Sequence, residues 1–181
     1  MPMAKASIVT IPNKILTQKT TPVEKLDGEI IVLAQNLVDT LDSASEPEGA
    51  GIAANQIGSD KRVCVVRQFF EDPHRPDRYT YEDLILINPK IVSFSKDTDT
   101  DWEGCLSIPN VYGKVERYLK IKVKSTTLSG NEISFSAHDF FARVIQHEID
   151  HLDGILFTSR VKGKTINEEG LDRILRKEAG H

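Results

Sequence analysis

Two histidines four residues apart, with a glutamate after the first, constrain this sequence more than any other feature. They occur as His147-Glu148-Ile149-Asp150-His151, within residues 137–153, which are predicted to form a helix. On a helix, residues four apart project from one face, so both imidazoles can reach one metal ion while the glutamate stands beside it as a base. A helix of this kind needs a core on one side and an open site on the other. We therefore expect the fold to be built around it.

The helical periodicity of residues 137–153 separates two neighbouring arcs. The arc expected to face the core contains Phe141, Ile145, Ile149 and Leu152. The arc expected to line a site contains Phe140, Val144, His147 and His151. Ordinary core packing is the alternative for Phe140 and Val144, and a helix with surface histidines is the alternative for the pair. Asp153-Gly154 is predicted to end the helix.

The remaining elements predict an α+β fold of mixed short antiparallel strands packed around the central metal-binding helix. An N-terminal helix is expected over residues 23–45, ended by Glu46-Pro47-Glu48-Gly49, and a C-terminal helix over residues 167–178. Short alternating or β-branched runs predict strands at 62–68, 84–87, 90–94, 113–116, 118–126 and 132–136. Residues 129–131 are expected to form a hairpin turn, and the charged insert from Glu71 to Tyr81 a surface loop. One catalytic domain is expected to cover residues 1–181.

Charge and cysteine content narrow the class of protein. The 181 residues carry 27 acidic and 23 basic side chains, a net charge of −4, with no basic run. This argues against binding driven by the charge of nucleic acid or anionic membrane, and no nucleic-acid motif is present. Two cysteines allow at most one disulfide, which favours a reducing compartment. The sequence also lacks an apolar run long enough for a membrane helix or a signal peptide, so we expect a soluble intracellular protein.

Cys105 is the best candidate for a third metal ligand, because two imidazoles alone make an incomplete site. It lies in residues 102–109 (WEGCLSIP), where Gly104 permits close backbone approach and Pro109 indicates a loop. The alternative for a lone cysteine is a small buried hydrophobe, which is how we interpret Cys64. One thiolate and two imidazoles would leave a coordination position open, as in a catalytic site rather than a structural one.

A segment of small residues, 49–56 (GAGIAANQ), is the third unusual feature. Its glycines allow a ligand or a strand to lie close to the main chain, and the amide of Gln56 can donate a hydrogen bond to a carbonyl oxygen. The segment lacks the pattern of a phosphate-binding loop and that of a dinucleotide fingerprint, so a nucleotide site is not expected.

Together the three segments resemble the peptide deformylases. The motifs of that family are G-x-G-L-A-A-x-Q, E-G-C-L-S and Q-H-E-x-D-H-L, and here they stand in the same order at residues 49–56, 103–107 and 146–152. The resemblance spans nearly the whole chain. Two positions depart from the family pattern: Ile52 replaces the usual leucine, and Tyr112 stands where many bacterial members carry arginine.

The resemblance implies hydrolytic removal of the formyl group from the initiator methionine of a new polypeptide, releasing formate. Cys105, His147 and His151 would hold one divalent metal ion per chain, implied to be Fe(II) in cells, with zinc, nickel or cobalt in preparations. Glu148 would act as general base toward the attacking water and return the proton to the leaving amine. The Gln56 side chain and the Leu106 backbone N–H would stabilise the carbonyl oxygen together with the metal.

The site-lining arc of the helix predicts how the methionine side chain is selected, and the resemblance implies how the rest of the peptide lies. The methionine side chain would occupy an apolar slot lined by Gly51, Phe140 and Val144, and the peptide would lie extended between the 49–54 segment and the Gly104 region. Arg143, on the same helix, is expected to be solvated, with a position at the border of the pocket mouth as the alternative.

The implied partners are N-formylmethionyl nascent peptides, with the ribosome exit region as a further candidate. The implied location is the bacterial cytoplasm, with an organelle copy as the alternative.

Two other classes share part of the pattern. A zinc endopeptidase also uses His-Glu-x-x-His, but its third ligand is normally a downstream histidine or glutamate, and here the only later histidine is His181. A metal-stabilised module that binds extended peptides would not need Glu148, and metal removal would unfold it.

Overall fold

The computed structural model describes residues 6–44 and 49–180. Three α-helices occur in these ranges: α1 (Gly28–Asp42), α2 (Asp139–Leu152) and α3 (Glu168–Glu178). Seven strands accompany them: β1 (Gly51–Ala53), β2 (Val63–Asp72), β3 (Arg75–Phe94), β4 (Thr98–Cys105), β5 (Ile108–Tyr118), β6 (Lys120–Thr126) and β7 (Glu132–His138). The predicted α+β class, with a helix toward each end and antiparallel strands around a central helix, is confirmed.

The strands form two antiparallel sheets. Five of them pair in the order β1-β2-β3-β6-β7, and β4 pairs with β5 in a separate hairpin. β1 is an edge strand of only three residues, paired with β2 through Gly51↔Val66 and Ala53↔Cys64. The short β1 therefore holds the small-residue segment at the border of the larger sheet, next to α2.

The core lies on both faces of β2, which explains its continuous apolar run. Cys64 and Val66 pack in a cluster with α2, whereas Val63 and Val65 pack in a cluster with α1. Successive residues of a strand point to opposite faces, so a strand covered by a helix on each side is apolar throughout.

The ends of α1 follow from local hydrogen bonds. The side chain of Asp27 accepts hydrogen bonds from the backbone N–H groups of Glu29 and Ile30, so the helix begins five residues later than the periodicity from Val23 predicts. It ends at Asp42, with Ser43 as the C-cap. Of the predicted terminating segment, Glu46, Pro47 and Glu48 lie outside the described residues.

The central helix agrees closely with the prediction for residues 137–153. Of the predicted core arc, Ile145, Ile149 and Leu152 are buried. Asp153 caps the C-terminus, and Gly154 adopts a φ of 73°, the left-handed conformation that glycine tolerates best. The predicted end of the helix is confirmed.

The prediction of a surface loop from Glu71 to Tyr81 is wrong. The segment is the tip of a long β2–β3 hairpin, with Phe69 opposite Tyr81 and Glu71 opposite Tyr79. Its β-forming residues Tyr79, Thr80 and Tyr81 pair with β2, while the charged side chains of Glu71, Arg75 and Arg78 are exposed. Pairing across the hairpin outweighs the polar composition that suggested a loop.

The segment containing Cys105 is also more regular than predicted. Cys105 is the last residue of β4, Leu106 and Ser107 form a turn, and β5 begins at Ile108, with Cys105 opposite Ile108. The candidate ligand is thus presented by the end of a hairpin rather than by a loop.

The chain after α2 returns to β5 before α3 begins. Tyr112 and Ile166 exchange two backbone hydrogen bonds of 2.9 Å, and Val115 bridges to Val161. The helix α3 that follows has no buried residue. None of the helices in the described ranges is long and apolar enough to cross a membrane.

Candidate metal centre and cavity

The ligand atoms of Cys105, His147 and His151 converge, lying within 4.8 Å of one another. The Cys105 Sγ is 3.1 Å from the Nε2 of His151. A sulfur with two imidazole nitrogens is a donor set that suits zinc and neighbouring divalent transition metals. The three predicted ligands are therefore brought together by the fold, and their chemistry fits a metal ion.

His147 is oriented by a carboxylate that lies on the other side of its ring. Its Nδ1 is 3.0 Å from Oε2 of Glu103, which leaves Nε2 free to face the Cys105 side. Such a carboxylate fixes the tautomer and the orientation of a histidine ligand. The sequence interpretation assigned no role to Glu103, although it lies two residues before Cys105 in the same strand.

Glu103 is itself held by two buried arginines. Arg117 donates to both of its carboxylate oxygens at 2.9 Å, and Arg143 donates to Oε1 at 3.0 Å. Burial alone would raise the pKa of Glu103, but the hydrogen bonds from His147 and Arg117 outweigh it and hold the pKa well below its usual range. Glu103 thus remains an anion beside His147.

The prediction that Arg143 is solvated is wrong. Only 6% of Arg143 is exposed, and besides Glu103 its guanidinium donates to the carbonyl oxygen of Val115 at 2.8 Å. Burial of an arginine is tolerated because its hydrogen bonds and charge are satisfied. The buried Arg143 also forms part of the cavity wall.

A second carboxylate extends the charge network away from the metal centre. Asp150 accepts hydrogen bonds from Arg117 at 2.5 Å and from Arg160 at 2.6 and 2.7 Å. Arg117 therefore bridges Asp150 and Glu103. One sequence signal for Arg117 existed: it falls in phase with the buried positions Gly113 and Val115 of the alternating strand β5.

Glu148 lies on α2 between the two histidines and faces the cavity. It is 3% exposed, and its Oε2 has no hydrogen-bond partner among the described residues. Burial is the main cause that raises the pKa of Glu148 to about 7, with Glu103 adding to it and His147 opposing it. A carboxyl group with this pKa can take up and release a proton near neutral pH.

Gly51 makes room for Glu148. A β-carbon at position 51 would lie 2.7 Å from the Glu148 Oε1 and 2.8 Å from its Cγ, closer than such contacts allow. The glycine of β1 is therefore required by the close approach of this carboxylate.

The Gln56 amide is fixed at both ends, in the 3₁₀ turn Ala54–Ile57. Its Oε1 accepts a hydrogen bond from the Ala53 N–H at 2.9 Å, which turns the amide nitrogen toward Ser107 Oγ at 3.2 Å and Cys105 Sγ at 3.5 Å. Its donor thus points to the metal centre. Leu106, the other predicted oxyanion donor, lies in the turn next to Cys105 and lines the same cavity.

A cavity of about 560 Å³ lies in front of these groups. The substrate-binding residues predicted from the sequence all contribute to its wall: Gly51, Gly104, Phe140 and Val144. Phe140 is 55% exposed and so stands at the mouth. Val144, at 6% exposure, also belongs to the core cluster of α2, so it both lines the cavity and packs in the core.

Trp102 and Tyr112 also line the cavity on the side of the β4–β5 hairpin, and the sequence analysis did not predict Trp102 as a lining residue. The Tyr112 ring packs on Gly104, where a β-carbon would lie 2.6 Å from its Cε1. Gly104 is therefore needed to admit this ring beside the metal ligand.

The sequence of this chain matches that of a known protein family. Residues 5–167 match the sequence model of the family described as polypeptide deformylase. A peptide deformylase of Desulforudis audaxviator is 44% identical over 158 residues, covering 87% of this chain and 94% of the relative.

Solved structures agree with these sequence matches. The Met-Ala-Ser-bound crystal structure of a class I type b peptide deformylase from Acinetobacter baumannii has a TM-score of 0.77 at 34% identity, covering 88% of this chain and 99% of the other. The peptide deformylase of Thermotoga maritima has a TM-score of 0.75 at 28% identity, covering 88% and 99%.

Proposed function

This chain belongs to the polypeptide deformylase family, metal-dependent hydrolases that remove the N-formyl group from newly made polypeptides, and from that premise we propose which residues perform the reaction. Cys105, His147 and His151 hold the metal ion, and Glu148 is the general base. The observation that carries this assignment is the convergence of three ligand atoms within 4.8 Å next to a buried, unpartnered carboxylate oxygen. We further propose Fe(II) as the ion in cells, with zinc, nickel or cobalt able to occupy the same thiolate and imidazole ligands.

When bound, the ion supplies Lewis acidity to the formyl carbonyl and to the attacking water. Glu148 removes a proton from that water as it attacks the formyl carbon, and then gives the proton to the leaving amine. The position of Glu148 supports both steps, because it lines the cavity and its Oε2 is not engaged by another described residue. The products are formate and a free N-terminus.

Gln56 and Leu106 stabilise the negative charge that develops on the carbonyl oxygen. Gln56 donates through its amide nitrogen, and Leu106 through its backbone N–H. The anchoring of the Gln56 Oε1 by Ala53 supports this role, since it fixes the donor direction before substrate arrives.

The formylmethionine side chain occupies the slot lined by Gly51, Phe140 and Val144. The peptide lies extended between β1 and the Gly104 region and adds its main chain to them. Two features support this path: β1 is an edge strand, and both segments line the cavity. The related A. baumannii structure binds Met-Ala-Ser, a product of the same kind.

One catalytic domain comprises residues 1–181, located in the cytoplasm. The family match over residues 5–167 and the bacterial origin of the relatives support these two points. We also propose the ribosome exit region as a further partner, and the exposed Arg176 and Lys177 in the last turn of α3 are the residues with which we test it. Co-sedimentation with ribosomes tests it: binding should weaken in Arg176→Glu/Lys177→Glu, and equal binding by that variant would contradict it.

Release of formate from formyl-Met-Ala-Ser by the metal-loaded protein tests the proposed function. Formate with an intact peptide is expected. Cleavage between residues would instead indicate a zinc endopeptidase. Binding of the peptide without hydrolysis, together with unfolding after metal removal, would indicate a binding module.

A further inference from the structure

A row of aromatic side chains, all exposed except the half-buried Phe69, leads away from the cavity along the β2–β3 hairpin. It begins at Phe140, which stands at the mouth of the cavity, and continues through Phe69 and Tyr81 to Tyr79. The ring centroids of Phe140 and Phe69 are 6.3 Å apart, and those of Phe69 and Tyr81 are 6.2 Å apart. We refer to these four residues as the aromatic strip.

The strip occupies one face of the hairpin. Phe69 lies opposite Tyr81 and Glu71 opposite Tyr79, and residues two apart in a strand share a face. Phe70 belongs to the other face. Phe70 is therefore not part of the strip, although it lies next to Phe69 in β2.

Two side chains of the strip on β3 expose a large part of their surface to solvent. Tyr81 is 46% exposed and Tyr79 is 64% exposed. The Arg67 guanidinium lies 3.7 Å from the centroid of the Tyr81 ring, and Arg67 is in turn held by Asp83 at 2.7 and 2.8 Å. Tyr81 is therefore fixed in place while much of its surface stays open to a ligand. Contiguous exposed aromatic surface next to a binding cavity typically marks a binding site.

On the basis of the proposed function, we propose that the aromatic strip binds the downstream part of the same formylated peptide, about three to five residues after the formyl group. Only the N-terminal end of a nascent chain can enter the cavity, so the rest must leave through its mouth. The strip is continuous with that mouth because Phe140 belongs to both. Aromatic rings accept many apolar side chains, which suits an enzyme whose substrates differ beyond methionine.

The spacing of the strip sets the position of the contact. Each step between rings is about 6 Å, and an extended chain advances about 3.3 Å per residue, so one step corresponds to about two residues. With methionine beside Phe140, the third residue of the peptide reaches Phe69 and the fifth reaches Tyr81. Formyl-Met-Ala-Ser is too short to reach Tyr81.

The experiment measures kcat/KM of the metal-loaded enzyme for formyl-Met-Ala-Ser-Ser-Ser-Ser and for versions in which phenylalanine is moved through positions three to six. The wild-type protein should prefer phenylalanine near position five by about two- to tenfold, mainly through a lower KM, as expected for one aromatic contact. Tyr81→Ser should reduce this preference, and Phe69→Ser, one step nearer the mouth of the cavity, should separately reduce the gain from phenylalanine at position three. Phe70→Ser, on the opposite face of the same hairpin, is the matched control and should retain it.

A flat response to the position of phenylalanine in the wild-type protein would overturn the proposal, as would loss of the preference in Phe70→Ser. The Phe69 variant keeps the test valid if Tyr81→Ser disturbs Arg67. A concentration-dependent dimer in sedimentation velocity that Tyr81→Ser abolishes would instead assign the strip to a second copy of the chain. Hydrolysis of formyl-Met-Ala-Ser by the wild-type protein is recorded in parallel, so failure of the proposed function is recognised separately.

Discussion

The Nδ1 of His147 lies 3.0 Å from the Oε2 of Glu103, a residue 44 positions earlier in the chain. Through this contact the β4–β5 hairpin, which carries Cys105, also orients a ligand on α2. Because Glu103 is pinned by Arg117 at 2.9 Å on both oxygens, the imidazole is held by a group that cannot easily move. The candidate metal site is therefore organised by contacts between two elements, the β4–β5 hairpin and α2.

We expect Glu103→Gln to weaken metal retention. The amide cannot accept as strongly from the His147 N–H, and loss of such an outer contact typically costs about 10–100-fold in metal affinity. Metal release to a chelator, followed together with circular dichroism to confirm folding, measures the effect. Asp99→Asn is a suitable control, since Asp99 contacts Arg143 at 3.4 Å but is 57% exposed and does not contact His147. A folded Glu103→Gln protein that releases metal at the wild-type rate would contradict the assignment.

Glu148→Ala should keep the metal and lose turnover. Glu148 lies beside the three ligand atoms and is not one of them, and loss of a general base typically lowers kcat by about 10²–10⁴-fold. Metal content by elemental analysis and kcat on formyl-Met-Ala-Ser are the two measurements. Cys105→Ala should instead lower metal occupancy, because the thiol is a proposed metal ligand. Wild-type kcat in metal-loaded Glu148→Ala would remove Glu148 from the mechanism.

Gly51→Ala should damage catalysis through Glu148 rather than through the metal. The new methyl group would lie 2.7 Å from the Glu148 Oε1, so the carboxylate must rotate away from its position. We expect kcat to fall by about tenfold or more, because small displacements of a catalytic group are costly, with metal content unchanged. Gly28→Ala at the start of α1, where nothing lies within 4 Å of the added carbon, controls for the substitution itself. Equal loss of activity in both variants would speak against the steric argument.

The extent to which the sequence predicts this structure depends on how local each signal is. The bounds of α2 and the pairing of His147 with His151 follow from spacing within one helix, and both were predictable. Cys105 was identifiable as the candidate third ligand because few residue types complete such a site, and the fold brings it to the two histidines. The α2 core arc was likewise predicted, because buried apolar residues repeat every three to four positions.

The features that the sequence did not predict depend on partners distant in the chain. Arg143 was expected in solvent because its charge is visible in the sequence, whereas its buried partner Glu103 becomes a neighbour only after folding. The charges and prolines of the Glu71 to Tyr81 segment predict a loop, whereas pairing with β2 makes it a hairpin. In both cases a tertiary contact reverses a preference read from local composition.

Gln56→Glu separates the two ends of the Gln56 side chain. The substitution retains an oxygen that can accept from the Ala53 N–H but replaces the donor that faces Cys105. If the donor stabilises charge that develops only in the transition state, kcat should fall by about 10²–10³-fold with little change in KM. Steady-state kinetics on formyl-Met-Ala-Ser gives both constants. A rise in KM alone would assign Gln56 to binding of the ground-state substrate.

The slot at Phe140 and Val144 predicts a preference for formylmethionine over formylalanine. Methionine places about three more heavy atoms in an apolar slot, and each buried methylene contributes about 0.8 kcal/mol, so kcat/KM should differ by at least about tenfold. Phe140→Ser should reduce this ratio by opening one wall of the slot. The variant should fold, because Phe140 is 55% exposed.

Phe94→Ser, at a site of 57% exposure that is not among the lining residues, is the matched control. Short substrates of the form formyl-Xaa-Ala exclude any contribution from Tyr81 and Tyr79. An unchanged ratio of methionine to alanine in metal-loaded Phe140→Ser would leave Val144 and Gly51 as the walls that select methionine and would remove Phe140 from the slot.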